Sequence, residues 1–265
     1  SDYGGGYAGS GFRYSSNARE FSLSGSQIAD KTPGYYSFSN PALYQFIQKT
    51  FIGVSMQNLS LDRSIQSINY AKRLPPNAGI GIAILQSGTN NIQGKNLMNE
   101  NTDVFAVKEI EGVISFGVAI GYKLALGINV KAIFTSIDTE YRGNGISGDL
   151  GFIYRFNRQL YFGGIIKNLN ASYNWKMLIG DDERSYVEKF PKINSFGLAY
   201  SGLKGIIILL QQDIIISPND DVNYRIRTGS EFELDNKIKL RCGLKQSWGA
   251  FKKDINMDGL NIKPT

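Results

Sequence analysis

The sequence predicts an all-β protein whose antiparallel strands form a barrel that spans a membrane. Three observations lead to this fold class: the composition, a two-residue periodicity that begins near residue 51, and the small side chains on the second face of the strands. The 265 residues include 30 Gly, 15 Tyr and 15 Phe but only 7 Pro, which suits many strands joined by turns. The mean hydropathy of -0.21 is that of a soluble chain, but alternating strands average to neutral.

Bulky apolar side chains recur at every second position, which is the period of a strand. In residues 112–122 they alternate with Ser115, Gly117 and Ala119, and residues 123–137 repeat the arrangement. Counting such segments gives about a dozen candidate strands. The residues that we predict to face lipid are Ile114, Phe116, Val118, Ile120, Leu126, Ile128, Val130, Phe152 and Phe162.

The second face of these strands distinguishes a membrane barrel from a soluble β-sandwich. Water-facing sandwich strands carry Lys, Glu, Thr and Ser, whereas Gly and Ala fill much of this face. Small residues leave room in a barrel lumen for an inserted segment. Segments such as 145–157 also reach the roughly 9 to 11 residues of a tilted membrane strand, while the apolar runs at 79–85 and 205–210 are far shorter than the roughly 20 residues of a spanning helix.

The stretch Gly143-x-Gly145-x-x-Gly148 has the spacing of a dinucleotide-binding loop. That interpretation requires a helix to begin after the last glycine, where its amide groups would meet a pyrophosphate. The residues that follow alternate instead between bulky and small or polar side chains, from Leu150 to Phe156. The sequence therefore predicts that this glycine pattern belongs to a turn and a strand.

The residue types exclude most catalytic and metal chemistry. The chain has no histidine and a single cysteine, Cys242, so a Ser-His-Asp triad, a Cys-His dyad or a His-bearing zinc site cannot be built. The net charge of +6 is scattered along the chain, which disfavours a nucleic-acid partner. We predict a protein that is not an enzyme and has no cofactor.

One short stretch resembles the first half of a calcium-binding loop. Asp254, Asn256 and Asp258 are spaced as the first ligands of such a loop. The twelfth position is Thr265, where a calcium loop has a bidentate Glu. A polar turn is therefore the favoured interpretation.

The first 45 residues do not alternate, and they carry a set of spaced motifs. These are an Ala-Arg pair, a glycine-bearing turn, an Ala-Asp step and an Asn-Pro-Ala-Leu ending. The matching residues are Ala18, Arg19, Gly25, Ala29, Asp30, Asn40, Pro41, Ala42 and Leu43. Together with Asp149-Leu150-Gly151 and Asn168-Leu169, this opening resembles that of the PorV-like and FadL-like outer-membrane barrels, and residues 224–245 add a weaker match.

The resemblance implies a fold, a location and a division of the chain. The fold is a barrel of about fourteen strands in the bacterial outer membrane, with residues 1–45 folded inward as a hatch and residues 46–265 forming the barrel. Two features depart from the family. Leu23-Ser24-Gly25 stands where Met-Gly-Gly is usual, and the sequence lacks an aromatic-ended last strand. We therefore expect either that the C-terminus is incomplete or that another chain completes the wall.

The resemblance also implies two functions. The first is a non-catalytic accessory or cargo-shuttle subunit of a type IX protein secretion or surface-display complex, whose partners are other complex subunits or exported proteins. Polar stretches at 88–103 and 171–192, predicted to be loops, are the candidate partner sites. The alternative is a FadL-like transporter of hydrophobic small molecules with an apolar pocket near the hatch. From the residues alone, a soluble β protein that binds carbohydrate or protein stays open.

Overall fold

A computed structural model describes residues 7–32, 34–96, 98–137, 141–179, 182–235 and 238–249. Within these ranges the chain forms thirteen strands in one antiparallel sheet, which confirms the predicted all-β fold class. The strands are β1 (Phe51–Leu59), β2 (Arg63–Leu74), β3 (Ala78–Lys95), β4 (Asn101–Ile120), β5 (Leu124–Ile137), β6 (Tyr141–Arg155), β7 (Leu160–Leu169), β8 (Ser172–Ile179), β9 (Asp182–Lys189), β10 (Lys192–Leu203), β11 (Ile206–Ile216), β12 (Val222–Asp235) and β13 (Ile238–Gly249).

The residues before β1, from 7 to 47, are called the N-terminal segment below. They form two short helices, α1 (Ala18–Ser22) and α2 (Tyr36–Ser39), and two 3₁₀ helices at Ser10–Arg13 and Pro41–Phe46. No helix in the described ranges has the length and apolar character needed to cross a membrane.

Neighbouring strands follow one another in sequence around most of the sheet. The order runs from β1 to β7 and then from β10 to β13, with every pair antiparallel. β8 continues beyond β7 and pairs with the start of β6, where Tyr141 lies opposite Met177, and β9 pairs with β8. The sheet is therefore a meander whose β8–β9 hairpin extends one end of the wall.

The outer face of this sheet carries exposed apolar side chains, and the inner face carries buried side chains, both polar and apolar. Ile114 is 64% exposed, while its neighbours Val113 and Ser115 are each 1% exposed. Of the nine residues predicted to face lipid, six are exposed and Val118, Phe152 and Phe162 are half-buried. Lipid contact by each of these side chains stays a prediction, but their common face is the one that membrane insertion requires.

The inner face carries a row of glycines where the N-terminal segment approaches the wall. Strand register places Gly79, Gly117, Gly127 and Gly151 side by side across β3, β4, β5 and β6. A Cβ atom at Gly127 would overlap the backbone of residues 41–42. The segment also contacts β2 at one end of the sheet and β13 at the other, so the sheet curves around it.

The predicted loops at 88–103 and 171–192 are wrong. β3 continues to Lys95 and β4 begins at Asn101, while β8 and β9 occupy most of the second stretch. In 88–103 the strands extend past the apolar band, so both of their faces carry polar side chains and the period-two signal disappears. In 171–192 the alternation persists, since Tyr173 and Trp175 face inward between the exposed Asn174 and Lys176, and it is the polar outward residues that suggest a loop. The stretch with Gly143, Gly145 and Gly148 lies within β6, which confirms the predicted strand. The predicted turn is wrong, because Gly143 and Gly145 already pair with β5.

The calcium-loop candidates Asp254, Asn256 and Asp258 lie outside the described residues. The same holds for the expected incomplete end of the barrel, because the described part of the chain ends at residue 249. β1 and β13 are the two ends of the hydrogen-bonded strand order.

The glycine row predicts that adding a single methyl group loosens the N-terminal segment. We expect Gly127→Ala to destabilise the protein by roughly 1–3 kcal/mol, the usual cost of overpacking, because the methyl group would overlap segment backbone. Thermal unfolding in detergent and the rate of proteolysis within residues 7–47 measure the effect.

Gly112→Ala is the matched control for this substitution. Gly112 also lies mid-strand, but the nearest atom to an added methyl group is the Ala132 oxygen at 3.9 Å. Equal stability and equal protease resistance of the two variants would contradict the proposed contact.

Candidate functional site

The candidate site is the lumen, where the N-terminal segment meets the wall. The local structure of the N-terminal segment positions Arg19, which lies on α1. α1 begins after Asn17, whose side-chain oxygen accepts a hydrogen bond from the Glu20 backbone N–H at 2.9 Å. The Glu20 carboxylate accepts a hydrogen bond from the Ser16 backbone N–H at 2.8 Å. This reciprocal capping fixes the orientation of a helix of only five residues.

Arg19 on this helix joins the segment to the wall by ion pairs. Its guanidinium lies 2.6 Å from Asp30 of the segment and 2.8 Å from Glu231 of β12. Arg241 of β13 contacts the same Glu231 carboxylate at 2.6 Å. Burial alone would lower the pKa of Arg19, but the two carboxylates outweigh it and leave the pKa raised. We call Arg19, Asp30, Glu231 and Arg241 the arginine clamp.

Asn40 fixes the second half of the segment. Its side chain is fully buried and donates hydrogen bonds to the Ile28 oxygen at 3.0 Å and the Phe152 oxygen at 3.1 Å. Its own side-chain oxygen accepts from the Ala42 backbone N–H at 3.1 Å, which caps the following 3₁₀ helix. Gly151 leaves the space that this amide occupies. One side chain therefore links two parts of the segment to β6.

Tyr44 forms a further polar contact between the segment and the wall. Its hydroxyl lies 2.6 Å from the Ser37 hydroxyl and donates to the Asn69 side chain at 3.2 Å. Ser37 in turn lies 2.8 Å from the Ser115 hydroxyl of β4. Burial raises the pKa of Tyr44, so the phenol is neutral and available as a donor. The segment is thus bonded to β2 and β4 by neutral groups.

Charged residues of the inner wall are paired with one another. Lys131 lies 2.9 Å from both Glu111 and Asp149. Asp213 contacts Arg227 at 2.6 Å, and all of these groups except Arg227 are at least nine-tenths buried. Buried charges are tolerated only when they are paired and hydrogen-bonded. The lumen wall therefore presents compensated charge.

A small cavity lies between the N-terminal segment and the wall. Its volume is about 50 Å³. Its lining comes from both sides and mixes polar and apolar groups. Two aromatic rings of the segment face apolar side chains of β5 and of the connections that precede β8 and β10, and the polar lining residues include Glu111, Lys131, Ser147, Lys167 and Asn168. The apolar lining residues are Phe12, Phe38, Ile133, Ala171 and Phe190.

Four aromatic side chains, which we call the aromatic cluster, pack at this cavity. Phe12 of the segment stacks on Phe190 with ring centroids 6.4 Å apart. Phe190 meets Tyr173 edge-on at 4.8 Å, and Tyr173 meets Trp175 at 5.7 Å. Such edge-to-face and offset contacts are the favoured geometries between rings. The cluster is a surface that suits a further aromatic ring.

Glu109 couples the aromatic cluster to the first residues of the segment. One carboxylate oxygen accepts from the Gly11 backbone N–H at 2.7 Å and the other from the Tyr173 hydroxyl at 3.0 Å. A shift of the 3₁₀ helix at Ser10–Arg13 would therefore be transmitted to the ring of Tyr173.

The wall is irregular beside this cavity. Asn168 and Asn170 have φ of 62° and 54°, and the chain bends there between β7 and β8. Asp149 accepts a hydrogen bond from the Asn168 backbone N–H at 3.0 Å, and the Asn168 side chain donates to the Pro191 oxygen at 2.9 Å. Asparagine tolerates this left-handed conformation better than most residues, which explains its use at both positions.

The structure brings most of the predicted motif residues together. Arg19 meets Asp30, Gly25 has the positive φ of 74° that a tight turn after α1 requires, and Ala29 lies beside Gly163 of β7. Ala18 opens α1, and Pro41, Ala42 and Leu43 are buried in the second 3₁₀ helix. The role of this segment as a hatch stays a prediction.

Sequence reasoning missed the wall partners of the segment and the aromatic cluster. Glu231, Glu109 and Phe190 are far from the motifs along the chain, and no local pattern links them. The alternation does mark which strand residues face inward, as it did for Ser115 and Gly117. Strand register, which the sequence leaves open, decides which inward residues meet.

Comparison with solved structures shows the same fold in hydrocarbon channels. The Pseudomonas putida toluene transporter TodX matches with a TM-score of 0.63 and 13% identity over 88% of this chain and 83% of that one. The monoaromatic hydrocarbon channel CymD matches with a TM-score of 0.64 and 10% identity over 88% and 84%. A TodX variant, deltaS2S3, matches with a TM-score of 0.65 and 13% identity over 94% of this chain and 86% of that one. No protein-family model and no curated protein matches the sequence.

These matches confirm the transmembrane barrel fold and support the FadL-like part of the resemblance. An integral outer-membrane location follows, because an all-β sheet with this apolar outer face belongs in a bilayer as a barrel. The outer face accordingly contacts lipid. The matched structures are transport channels.

The predicted role as a type IX accessory or cargo-shuttle subunit is wrong. The fold matches hydrocarbon channels, the class of the alternative hypothesis, and the PorV-like part of the resemblance gains no support. The physical reason lies in the motif residues. Arg19, Asn40 and Ala42 connect the segment to the wall through direct contacts. These motif residues therefore specify a barrel with an internal segment. Secretion-complex subunits and exported proteins lose their support as partners.

The arginine clamp predicts a strong effect of removing one negative charge. We expect Glu231→Gln to lower the free energy of unfolding by roughly 1–3 kcal/mol, because two half-buried guanidinium groups lose the buried carboxylate that they share. Urea denaturation in detergent measures this change.

Glu233→Gln on the same strand is the control. Glu233 is 42% exposed and lies 3.5 Å from Lys239, so its loss should cost less than about 0.5 kcal/mol. Equal destabilisation by both substitutions would show that the clamp contributes no more than an exposed ion pair.

Proposed function

We propose that this chain transports small hydrophobic molecules, including single-ring aromatics, across the outer membrane, with the N-terminal segment as a movable hatch. One observation carries the proposal: Phe12 and Phe190 of the aromatic cluster line a cavity between that segment and the wall, in a fold that hydrocarbon channels share. The cluster supplies ring faces and edges for a ligand that offers no hydrogen bonds.

The size of the cavity means that the ligand needs a change in the segment. An engineered apolar cavity of about 150 Å³ takes up benzene, and this one measures about 50 Å³. Phe12 and the 3₁₀ helix at Ser10–Arg13 form the movable side of the cavity. Their displacement would add the missing volume, and a bound ring would replace the contact between Phe12 and Phe190.

The contacts of the segment suggest that opening occurs in two steps. The first residues are held to the wall by ring packing, which a hydrophobic ligand can replace, and by a hydrogen bond to Glu109, which it cannot. Residues near Arg19 and Asn40 are held by buried ion pairs and hydrogen bonds, which an apolar ligand cannot replace. Loading of the cavity therefore precedes a separate, costlier opening of the lumen.

The two tryptophans of the chain allow a direct binding test. Trp175 belongs to the aromatic cluster, whereas Trp248 is 43% exposed on β13. We expect toluene to change the emission of Trp175 in a Trp248→Phe variant along a saturable curve. In the Trp175→Phe variant the remaining Trp248 should respond only in proportion to the toluene that partitions into the detergent. A linear response of Trp175 would exclude a binding site at the cluster.

A reversible disulfide tests whether the segment must move. The hydroxyls of Ser37 and Ser115 are 2.8 Å apart, so cysteines at both positions can bridge the segment to β4. In a Cys242→Ser background, we expect oxidation of the Ser37→Cys/Ser115→Cys variant to abolish uptake of radiolabelled toluene by cells. Reduction should restore it.

The Ser37→Cys variant in the same background is the control for oxidation itself. It should transport toluene equally with and without oxidant. Full uptake by the oxidised double variant would show that the lower segment stays in place during transport, and the hatch proposal would then be wrong.

A further inference from the structure

Four short connections lie side by side at one end of the sheet. Residues 75–77 join β2 to β3, 121–123 join β4 to β5, 156–159 join β6 to β7, and 204–205 join β10 to β11. The long strands β3 and β4 and the β8–β9 hairpin extend the opposite end. Because outer-membrane barrels keep their short turns on the periplasmic side, these four connections face the periplasm.

One exposed cation lies in or beside each of the four connections. We call Lys72, Lys123, Arg158 and Lys204 the basic arc. No Asp or Glu lies in any of the four connections or within three residues of them along the chain. None of the four side chains forms an ion pair with another residue in the described ranges. The described part of the protein therefore does not neutralise the charge of the arc.

The connection between β12 and β13 marks the limit of the basic arc. Glu233 and Asp235 lie beside this connection, and Glu233 is 3.5 Å from Lys239. The arc therefore runs from β2 to β11, which are seven steps apart in the strand order. With neighbouring strands about 4.8 Å apart, the arc spans roughly 34 Å of the barrel wall.

Aromatic side chains accompany the cations of the basic arc. Each cation has a Tyr or Phe within four positions before it along the chain, and these residues are Tyr70, Tyr122, Phe156 and Tyr200. Tyr122 is 92% exposed and Phe156 is 53% exposed. Barrels carry such aromatic girdles at the level of the lipid headgroups. The basic arc therefore lies at the headgroup level of the periplasmic leaflet.

The exposed apolar band of the outer face ends directly at the basic arc. Ile120 is exposed just before Tyr122 and Lys123, and Ile208 is exposed soon after Lys204. A lysine at such a boundary lays its hydrocarbon stem along the apolar surface and extends its ammonium group to the polar layer. The cations can thus reach the phosphate groups of lipids whose acyl chains cover the band.

Uncompensated cations at this depth favour anionic headgroups over zwitterionic ones. Lys and Arg side chains near a membrane surface attract anionic lipids, and both bind phosphate oxygens well. The phosphate of phosphatidylethanolamine is balanced by its own ammonium group, whereas phosphatidylglycerol keeps a net negative charge. A soluble acidic protein would need carboxylates matched to the whole curved arc, while lipids surround the barrel in any membrane. Charge and position together therefore favour a lipid.

We propose that the basic arc binds anionic phospholipids of the periplasmic leaflet and so fixes the depth of the barrel in the outer membrane. The four cations contact phosphate oxygens, and the neighbouring aromatic rings contact the region between the headgroups and the acyl chains. This inference rests on the membrane-barrel fold and is independent of the transport proposal.

The test measures lipid retention by the purified full chain with native mass spectrometry. The probes are phosphatidylglycerol and phosphatidylethanolamine with identical acyl chains. We expect the wild-type chain to bind phosphatidylglycerol at least about tenfold more tightly than phosphatidylethanolamine. Rising salt should reduce this preference, because salt screens interactions between exposed charges.

The Lys72→Gln/Lys123→Gln/Arg158→Gln/Lys204→Gln variant removes the basic arc and should lose at least about tenfold in affinity for phosphatidylglycerol. The matched control is Lys108→Gln/Arg142→Gln/Lys189→Gln/Lys192→Gln. It removes the same charge from exposed positions near the opposite end of the barrel and should bind phosphatidylglycerol as the wild type does. The heat-dependent shift in gel mobility checks that each variant is a folded barrel.

Four outcomes would overturn the proposal. Equal retention of phosphatidylglycerol by the arc variant and the wild type would show that the arc does not bind lipid, and would leave an acidic soluble protein as its partner. Equal affinity of the wild type for the two lipids would show that headgroup charge is not recognised. Equal losses in the arc variant and the control variant would assign the effect to total charge. Complete displacement of the lipid by glycerol 3-phosphate at equal concentration would identify a site for a free anion.

Discussion

The close approach of the N-terminal segment to the barrel wall is the constraint on which the rest of the structure depends. Four inward glycines in register, from Gly79 to Gly151, allow segment backbone to lie against strand backbone. A side chain at any of these positions would hold the segment away from the sheet. The close contact in turn brings the Asn40 amide within hydrogen-bond distance of β6 and places Ala42 and Leu43 out of contact with water.

Polar contacts decide how firmly each part of the segment is held. The arginine clamp and Asn40 use buried charge and buried amide groups, whose loss leaves unpaired partners and is therefore costly. The residues near Phe12 rely more on ring packing, which an apolar ligand can reproduce. This gradient along one segment gives a physical basis for a hatch that yields first at the aromatic cluster.

The composition of the outer face is set by a different constraint, because this face contacts lipid. Apolar side chains cover the band that crosses the hydrocarbon core, and polar ones appear where the strands extend past it. Lys108, Arg142 and Lys176 lie at that boundary. Inner and outer faces of the same strands are thus specialised for different solvents, and β4 carries Glu109 to the lumen and Lys108 to the exterior at adjacent positions.

The sequence by itself determined the fold class and the two faces of each strand, because a period of two survives in any strand whose faces meet different environments. It also marked the segment residues Arg19, Asp30 and Asn40. It failed at 88–103, where both strand faces are polar and the period carries no signal, and at 171–192, where the polar outward residues of β8 suggest a loop although Tyr173 and Trp175 alternate with them. Only the tertiary structure decided that Arg19 meets Glu231, that Phe12 meets Phe190, and that Lys108, Arg142 and Lys176 share a row. Those contacts depend on the register between strands, which is set by pairing across the whole sheet and not by any local pattern.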